Sequence, residues 1–171
     1  SNQGFDCLQG DITSTHVDQS FDAVLSLFHV VSYQVSNAAV ISVFDNAAYH
    51  LTSGGLFLFD VWYSPAVLSQ KPSTRVKRLN TSDLHIQRVA EPTMKYNENL
   101  VNVHYTILAQ ELSTGQFSSF EEDHPMRHFS IPELTLFASL SGFEVLCSEE
   151  WLTGRSPSSE TWGVCFVLRK K

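Results

Sequence analysis

The sequence predicts an α/β fold with an inserted antiparallel β layer. Residues 21–28 form a nearly continuous apolar run, and between 37 and 52 apolar side chains recur at three- and four-residue steps. A second apolar run at 56–61 follows directly, so the order strand, helix, strand indicates a parallel crossover unit. We therefore expect one domain over 1–171, with the inserted layer at 64–129.

Composition and charge restrict the partners that we expect. Of the 171 residues, 43% are hydrophobic and 17% charged, which is typical of a folded domain with its own core. A net charge of -7 argues against a surface that neutralises nucleic-acid phosphates. The apolar runs are too short to cross a bilayer, and no secretory start is visible. We expect a cytoplasmic protein without nucleic-acid or membrane partners.

Two strands and one helix are predicted in the first third of the chain. A short apolar stretch at 5–11 is the first predicted strand, and 21–28 is the second; both are expected to be buried on two faces. The amphipathic helix at 37–52 is expected to stop at the glycine pair Gly54 and Gly55.

The middle of the chain alternates polar and apolar residues, which predicts strands at 75–80, 84–90, 100–110 and 116–120. The turn at 113–115 favours a hairpin between the last two, and the acidic run 121–123 reads as a solvated turn.

A second helix is predicted after Ser130, because Pro132 and Glu133 follow this serine in a capping-box pattern. Gly142 is expected to end that helix, and strands at 144–149 and 161–169 complete the chain.

Three cysteines, Cys7, Cys147 and Cys165, form no CxxC pair, and their odd number suits neither a disulfide framework nor a zinc ribbon. We expect reduced thiols that pack in the interior, with Cys147 and Cys165 on neighbouring strands.

Several polar residues are candidates for chemistry, each beside a plainer interpretation. His124 follows three acidic residues and is either a general base or a surface histidine, because imidazole exchanges protons near neutral pH. His29 follows a buried strand and either faces a ligand or stays hydrogen-bonded in the core. Asp123, His124 and His128 are a possible metal set, but Pro125 disfavours the helix that would align them, so we expect no metal.

The order of motifs resembles the class I S-adenosylmethionine-dependent methyltransferases over nearly the whole chain. The motifs are Gly10-Asp11-Ile12, the strand at 21–24, the run from Gly54 to Asp60, and Ser141-Gly142-Phe143 before a terminal strand pair. The segment that ends at 120–129 is similar to the lid of the small-molecule N-methyltransferase subgroup. The resemblance implies a truncated Rossmann-like methyltransferase sheet with an inserted antiparallel β lid.

The resemblance also implies which residues bind ligands. S-adenosylmethionine is the implied cofactor, and the positions that correspond to its site are Asp11, Ile12, Leu27, Phe28 and His29. The implied acceptor is a small-molecule amine or hydroxyl, for which the expected contacts are Tyr33, Asp60, Trp62, Tyr63 and Arg127, with His124 as the base. A plainer role stays open for several of these: Asp11 as a turn carboxylate, Arg127 as a structural salt bridge, and the aromatic residues as packing.

Two elements of the family have no counterpart before the strand at 21–28: the glycine-rich loop and the acidic residue that binds ribose. We therefore expect methyl transfer to be incomplete in an isolated chain. The open strand edge predicts a homodimer or strand exchange through 23–28, or pairing of 5–8 with that edge. A non-catalytic small-ligand-binding or dimerisation module derived from the same fold is the alternative.

Overall fold

The predicted crossover unit consists of β1 (Phe21–Ser26), α1 (Asn37–His50) and β2 (Leu51–Tyr63). A computed structural model describes Gly4 and residues 6–171. β1 and β2 are parallel neighbours, and a 3-10 helix at Val30–Tyr33 lies between β1 and α1. The α/β prediction is confirmed.

Helix α1 begins at a serine cap and ends earlier than predicted. The Ser36 hydroxyl accepts a hydrogen bond from the Ala39 backbone N–H at 3.1 Å. His50 is the last helical residue, so the predicted end at 52 and the glycine stop are both wrong. Gly54 and Gly55 instead lie inside β2, where the pairing with β1 is irregular. A Cβ on Gly55 would lie 2.9 Å from the carbonyl oxygen of Thr52, which explains the glycine there.

The inserted layer is a four-stranded antiparallel meander, which we call the lid sheet. Its strands are β3 (Arg75–Asn80), β4 (Leu84–Lys95), β5 (Leu100–Glu111) and β6 (Phe117–Phe129). The last strand continues well beyond the predicted 116–120. The turn expected at 121–123 is therefore wrong, because these residues pair with β5.

β6 joins the lid sheet to the α/β unit. Trp62 and Tyr63 of β2 pair in parallel with His128 and Phe129 of β6. The strand order is therefore β3-β4-β5-β6-β2, with β1 also on β2. A short helix, α2 (Ser64–Gln70), follows β2 directly and was not predicted. Its second residue, Pro65, suits the first turn of a helix.

The last third of the chain follows the prediction closely. In α3 (Ile131–Leu140) the Ser130 and Glu133 side chains form the predicted capping box, and Gly142 follows the helix with φ +79°. Strands β7 (Phe143–Glu150) and β8 (Gly163–Lys170) are antiparallel, and β8 also pairs with β2.

The core of the α/β unit is rich in phenylalanine. The Phe44 ring of α1 makes edge contacts with Phe57 and Phe59 of β2 at centroid distances of 5.6 and 5.3 Å. Phe59 stacks on Phe166 of β8 at 5.4 Å. These rings fix α1 against the middle of the sheet.

Two predictions about the first strands are wrong. Residues 6–11 contain no strand and are exposed, and Phe5 lies outside the described residues. β1 is not buried on two faces, because Leu25 is 60% exposed. Among the described residues β1 pairs only with β2, so its second edge is open there, and residues 6–8 of the expected 5–8 partner do not pair with it.

The three cysteines were expected to be reduced and packed in the interior, with two of them on neighbouring strands. Cys147 and Cys165 lie on the neighbouring strands β7 and β8, as predicted. All three thiols are free, but only Cys165 is buried, so the prediction of interior packing is wrong for Cys7 and Cys147.

Within the described part of the chain, no helix has the length and apolar character needed to cross a membrane.

Candidate functional site

One cavity lies against β1 and collects three of the five predicted cofactor contacts. It has a volume of about 450 Å³, and Asp11, Ile12 and Leu27 line it. Phe57 and Val43 contribute apolar surface from β2 and α1. We call this space the β1 cavity. Its size is in the usual range for small-molecule sites.

Asp11 is held in a tight turn at the rim of the β1 cavity. Its Oδ1 accepts hydrogen bonds from the Thr13 backbone N–H at 2.8 Å and the Thr13 hydroxyl at 2.7 Å. These bonds hold the pKa of the Asp11 carboxyl below its usual value. The turn interpretation and the ligand interpretation are therefore compatible, since the carboxylate is exposed and charged.

Two side chains of α1 anchor the loop that carries Asp11. The Asn46 amide donates to the carbonyl oxygens of Ile12 and Thr15 at 2.9 and 3.1 Å. Nε2 of His50 accepts a hydrogen bond from the Val17 backbone N–H at 2.9 Å. Sequence reasoning missed both anchors. The available signal was a polar pair four residues apart on an otherwise apolar helix face.

Phe28 and His29 do not line the β1 cavity. Both adopt left-handed backbone conformations, with φ values of 64° and 62°, which is uncommon for residues with side chains. Phe28 is 83% exposed. The double left-handed turn redirects the chain at the carboxyl end of β1 and brings His29 towards β2.

His29 and Asp60 form a close pair at adjacent strand ends. Nδ1 of His29 lies 2.6 Å from Oδ2 of Asp60, and the His29 backbone N–H also donates to this oxygen at 3.1 Å. Asp60 is only 2% exposed, and its Oδ1 has no hydrogen-bond partner among the described residues. The parallel pairing of β1 and β2 explains the meeting, because it places their carboxyl ends together.

Tyr33, His124 and Glu122 form a second polar group. The Tyr33 hydroxyl lies 2.8 Å from Nδ1 of His124, and Nε2 of His124 lies 3.1 Å from a carboxylate oxygen of Glu122. A carboxylate only accepts hydrogen bonds, so Nε2 carries a proton, and in the neutral imidazole Nδ1 is then the acceptor for the Tyr33 hydroxyl. Burial raises the pKa of Tyr33, with smaller contributions from Tyr105 and Glu122, which keeps the phenol protonated. Sequence reasoning named Tyr33 and His124 without predicting their contact.

A second cavity lies over the lid sheet, with a volume of about 560 Å³, and we call it the lid cavity. Trp62, Tyr105 and Trp162 provide its aromatic walls. Trp62 also lies against His29, with ring centroids 6.4 Å apart. Tyr105 contacts the His124 ring edge-on at 4.9 Å. Each polar group therefore contacts one aromatic wall residue of the lid cavity, although its own members do not line that cavity.

Arg127 lies in an internal network. Its guanidinium donates to Glu133 at 2.6 Å and to the Asn37 side chain at 2.7 Å, and it lies 5.0 Å from the centre of the Phe129 ring. Arg127 is 6% exposed. These contacts match the salt-bridge alternative rather than a substrate contact.

Tyr63 also packs internally. Its ring lies against the main core cluster, and its backbone N–H donates to the Trp162 carbonyl oxygen at 3.0 Å. It does not line the lid cavity, unlike its neighbour Trp62.

The candidate metal residues are separated by strand geometry. His124 and His128 lie four residues apart in β6, which is about 13 Å in an extended strand. Asp123 points to the other face of β6 and binds Asn102 and His104. His128 is instead buried, with its Nδ1 2.8 Å from the Ser64 hydroxyl.

Sequence comparisons identify no relative. No family model matches the chain, and no curated protein matches it.

Solved structures share the fold. An S-adenosylmethionine-dependent methyltransferase from Clostridium acetobutylicum superimposes with a TM-score of 0.79 and 16% identity, over 94% of this chain and 63% of that one. CalS10, an amino pentose methyltransferase from Micromonospora echinaspora, superimposes with a TM-score of 0.70 and 19% identity, over 95% of this chain and 63% of CalS10. The sugar N-methyltransferase KedS8 from a Streptoalloteichus species superimposes with a TM-score of 0.75 and 20% identity, over 95% of this chain and 62% of KedS8.

The chain spans less than two thirds of each of these proteins, while they cover nearly all of it. The match includes both the α/β unit and the lid sheet. The chain therefore has the fold of the class I S-adenosylmethionine-dependent methyltransferases.

Proposed function

We propose that this chain takes part in methyl transfer from S-adenosylmethionine to an amine or hydroxyl of a small molecule. The hydrogen bond between Tyr33 and His124 carries the proposal, because it provides a proton acceptor in contact with Tyr105 of the lid-cavity wall, on a methyltransferase fold. The structural neighbours support the reaction class: one of them, CalS10, was solved with S-adenosylmethionine bound.

The β1 cavity suits the cofactor. It offers a charged carboxylate at Asp11, apolar surface from Leu27 and Phe57, and the buried Ser26 hydroxyl, which has no partner among the described residues. A ligand with an amine, hydroxyls and a flat ring matches that combination. Asp11, Ser26 and Leu27 would hold it. When bound, S-adenosylmethionine supplies the activated methyl group.

The lid cavity would hold the acceptor, and Tyr33 would receive its proton. An amine or hydroxyl must lose a proton as it forms its bond to carbon. In our proposal this proton passes to the Tyr33 oxygen while the Tyr33 proton passes to Nδ1 of His124. The Glu122 carboxylate then stabilises the imidazolium. His29 and Asp60 shape the wall beside Trp62 and help to exclude water.

The test is acceptor-dependent formation of S-adenosylhomocysteine from S-adenosylmethionine, measured across a panel of amines and alcohols. We expect one class of acceptor to support turnover and Tyr33→Phe to lower it. Tyr96→Phe is the matched control, since Tyr96 is an exposed tyrosine in a turn outside both cavities. Cofactor binding with no acceptor-dependent turnover in any class would contradict the proposal.

The open edge of β1 supports a second candidate function, a dimerisation or assembly module. Among the described residues nothing pairs with that edge, and Leu25 beside it is largely exposed. A second copy that adds a strand there would bury both. Light scattering would then give a dimer mass, and Leu25→Lys would shift it towards the monomer. A monomer at all concentrations would contradict this candidate.

A further inference from the structure

Three cationic side chains line the lid cavity, and no carboxylate from the described part of the chain lies among them. Arg75 and Lys77 come from β3 and Arg88 comes from β4. This concentration of positive charge contrasts with the net charge of -7 for the whole chain.

The three cationic side chains share one face of the β3–β4 pair. Lys77 is directly opposite Arg88 in the antiparallel pairing, and Arg75 lies two residues along the same face. Like charges in directly opposed positions destabilise a sheet. Among the described residues none of the three forms an ion pair. A stability cost at a cavity wall is the usual mark of a binding site.

Protection of an edge strand does not explain the arrangement. Charged residues on an edge such as β3 do prevent pairing with other chains. Arg88, however, lies on β4, which has neighbours on both sides. Its guanidinium lies 5.0 Å from the centre of the Tyr105 ring, on the face that carries the cavity.

The aromatic walls are fixed in position. Trp62 and Trp162 meet edge to face with ring centroids 5.9 Å apart, and the Trp162 indole N–H donates to the Gln70 side chain at 2.5 Å. Fixed aromatic surfaces favour flat ligand groups.

We propose that the lid cavity binds an anionic group, a phosphate or a carboxylate, that is attached to a flat ring on the acceptor. Arg75, Lys77 and Arg88 hold the charge, and Trp62 and Trp162 contact the ring. Tyr105 lies beside both Arg88 and His124, so one wall residue connects the proposed anion site with the Tyr33 hydrogen-bond group. That the bound molecule is the methyl acceptor rests on the proposed function. The anion site itself is argued from the residues of the lid cavity.

Tryptophan fluorescence can test the proposal without cofactor or turnover, because two of the three tryptophans line the cavity. The probes are phenyl phosphate, benzoate, phenol and inorganic phosphate. We expect saturable binding of phenyl phosphate or benzoate, at least about tenfold tighter than phenol, because charge-assisted hydrogen bonds are stronger than neutral ones. The tighter of the two anions identifies the charged group. Inorganic phosphate measures the contribution of charge without a ring.

Charge reversal at matched positions provides the control. Lys77→Glu and Arg88→Glu each change an exposed residue that lines the cavity, and we expect affinity for the anionic ring to fall at least about tenfold. Arg78→Glu makes the same charge change one residue along β3, on the opposite face, where Arg78 binds Gln87. Arg78→Glu should leave the affinity for the anionic ring within about twofold of that of the unsubstituted chain.

The anion site would be overturned if phenol bound as tightly as both anions. It would also be overturned if no probe showed saturable binding at millimolar concentration. Equal losses in Arg78→Glu and Lys77→Glu would also overturn it. Each result leaves cofactor binding and methyl transfer to be judged by their own assays, so the two proposals fail separately.

Discussion

The Tyr33 hydroxyl is hydrogen-bonded to Nδ1 of His124 at 2.8 Å, although 91 positions separate the two residues. One belongs to the 3-10 helix after β1 and the other to β6 of the lid sheet. The pair therefore connects the α/β unit to the lid beside the lid cavity. Proton acceptance in the proposed reaction depends on this connection.

We predict that His124→Ala and Tyr33→Phe each lower turnover by about 100-fold, the usual size of a general-base contribution. Affinity for S-adenosylhomocysteine should change little, because neither residue lines the β1 cavity. Steady-state kinetics and calorimetry measure the two effects. Unchanged rates in both variants would return these residues to a structural role.

We predict that Asn46→Ala weakens cofactor binding by about tenfold, because the loop that carries Asp11 loses two hydrogen bonds to α1. Asp45→Ala is the control, since Asp45 is an exposed neighbour on the same helix that does not line the β1 cavity. Calorimetric titration with S-adenosylhomocysteine compares them. Equal affinities for the two variants would count against the loop as part of the cofactor site.

Arg127→Ala should destabilise the fold by about 3 kcal/mol, because it leaves the partly buried Glu133 without its guanidinium partner. Arg155→Ala removes an exposed ion pair with Glu150 and should cost less than about 1 kcal/mol. Urea unfolding gives both values. Arg127→Ala should leave phenyl phosphate affinity intact; a selective loss of affinity in a stable variant would restore Arg127 as a ligand contact.

Stability should fall in mildly acid solution because of His128. Burial lowers the pKa of His128, Arg127 lowers it further, and Glu133 opposes them. A histidine with a depressed pKa binds protons more tightly when unfolded, so its stabilising contribution is present above about pH 6.5 and lost below it. The unfolding free energy of the native chain should decrease from pH 7.5 to pH 5.

The double variant Ser64→Ala/His128→Leu removes both hydrogen-bond partners together and should have a shallower dependence on pH over this range. Urea unfolding at pH 7.5, 6 and 5 makes the comparison. The same slope in both proteins would show that His128 does not contribute.

Local signals predicted much of the fold correctly. The capping box from Ser130 to Glu133 satisfies helix-end donors within one turn, and the turn at 113–115 determines the hairpin between β5 and β6. β3 was predicted at its observed bounds, 75–80.

Predictions failed where tertiary contacts decide the structure. The acidic run suggested a turn at 121–123, yet β5 pairs with this segment throughout. At Pro125, β2 does not adjoin β6, so the missing N–H is tolerated as on an edge strand. The end of α1 was misplaced because Leu51 pairs with Phe21, a contact 30 residues away in sequence, and enters β2.

The candidate site was predicted as a set of residue types and not as an arrangement. Asp11 and Leu27 share a cavity because Asn46 holds the Asp11 loop against α1, a contact between residues more than 30 positions apart whose partner the helix pattern does not identify. Phe28 was placed with them by the family resemblance, but the left-handed turn at Phe28 and His29 directs the backbone away. Arg75, Lys77 and Arg88 converge only through the pairing of β3 with β4.

Calorimetric titration of the purified chain with S-adenosylhomocysteine tests the central claim most directly, with the mass in solution measured alongside. The account predicts saturable binding that Asp11→Ala weakens and Lys77→Glu leaves unchanged, since only Asp11 lines the β1 cavity. Absence of saturable binding at millimolar ligand, in monomer and oligomer alike, would contradict the cofactor site and with it the proposed methyl transfer.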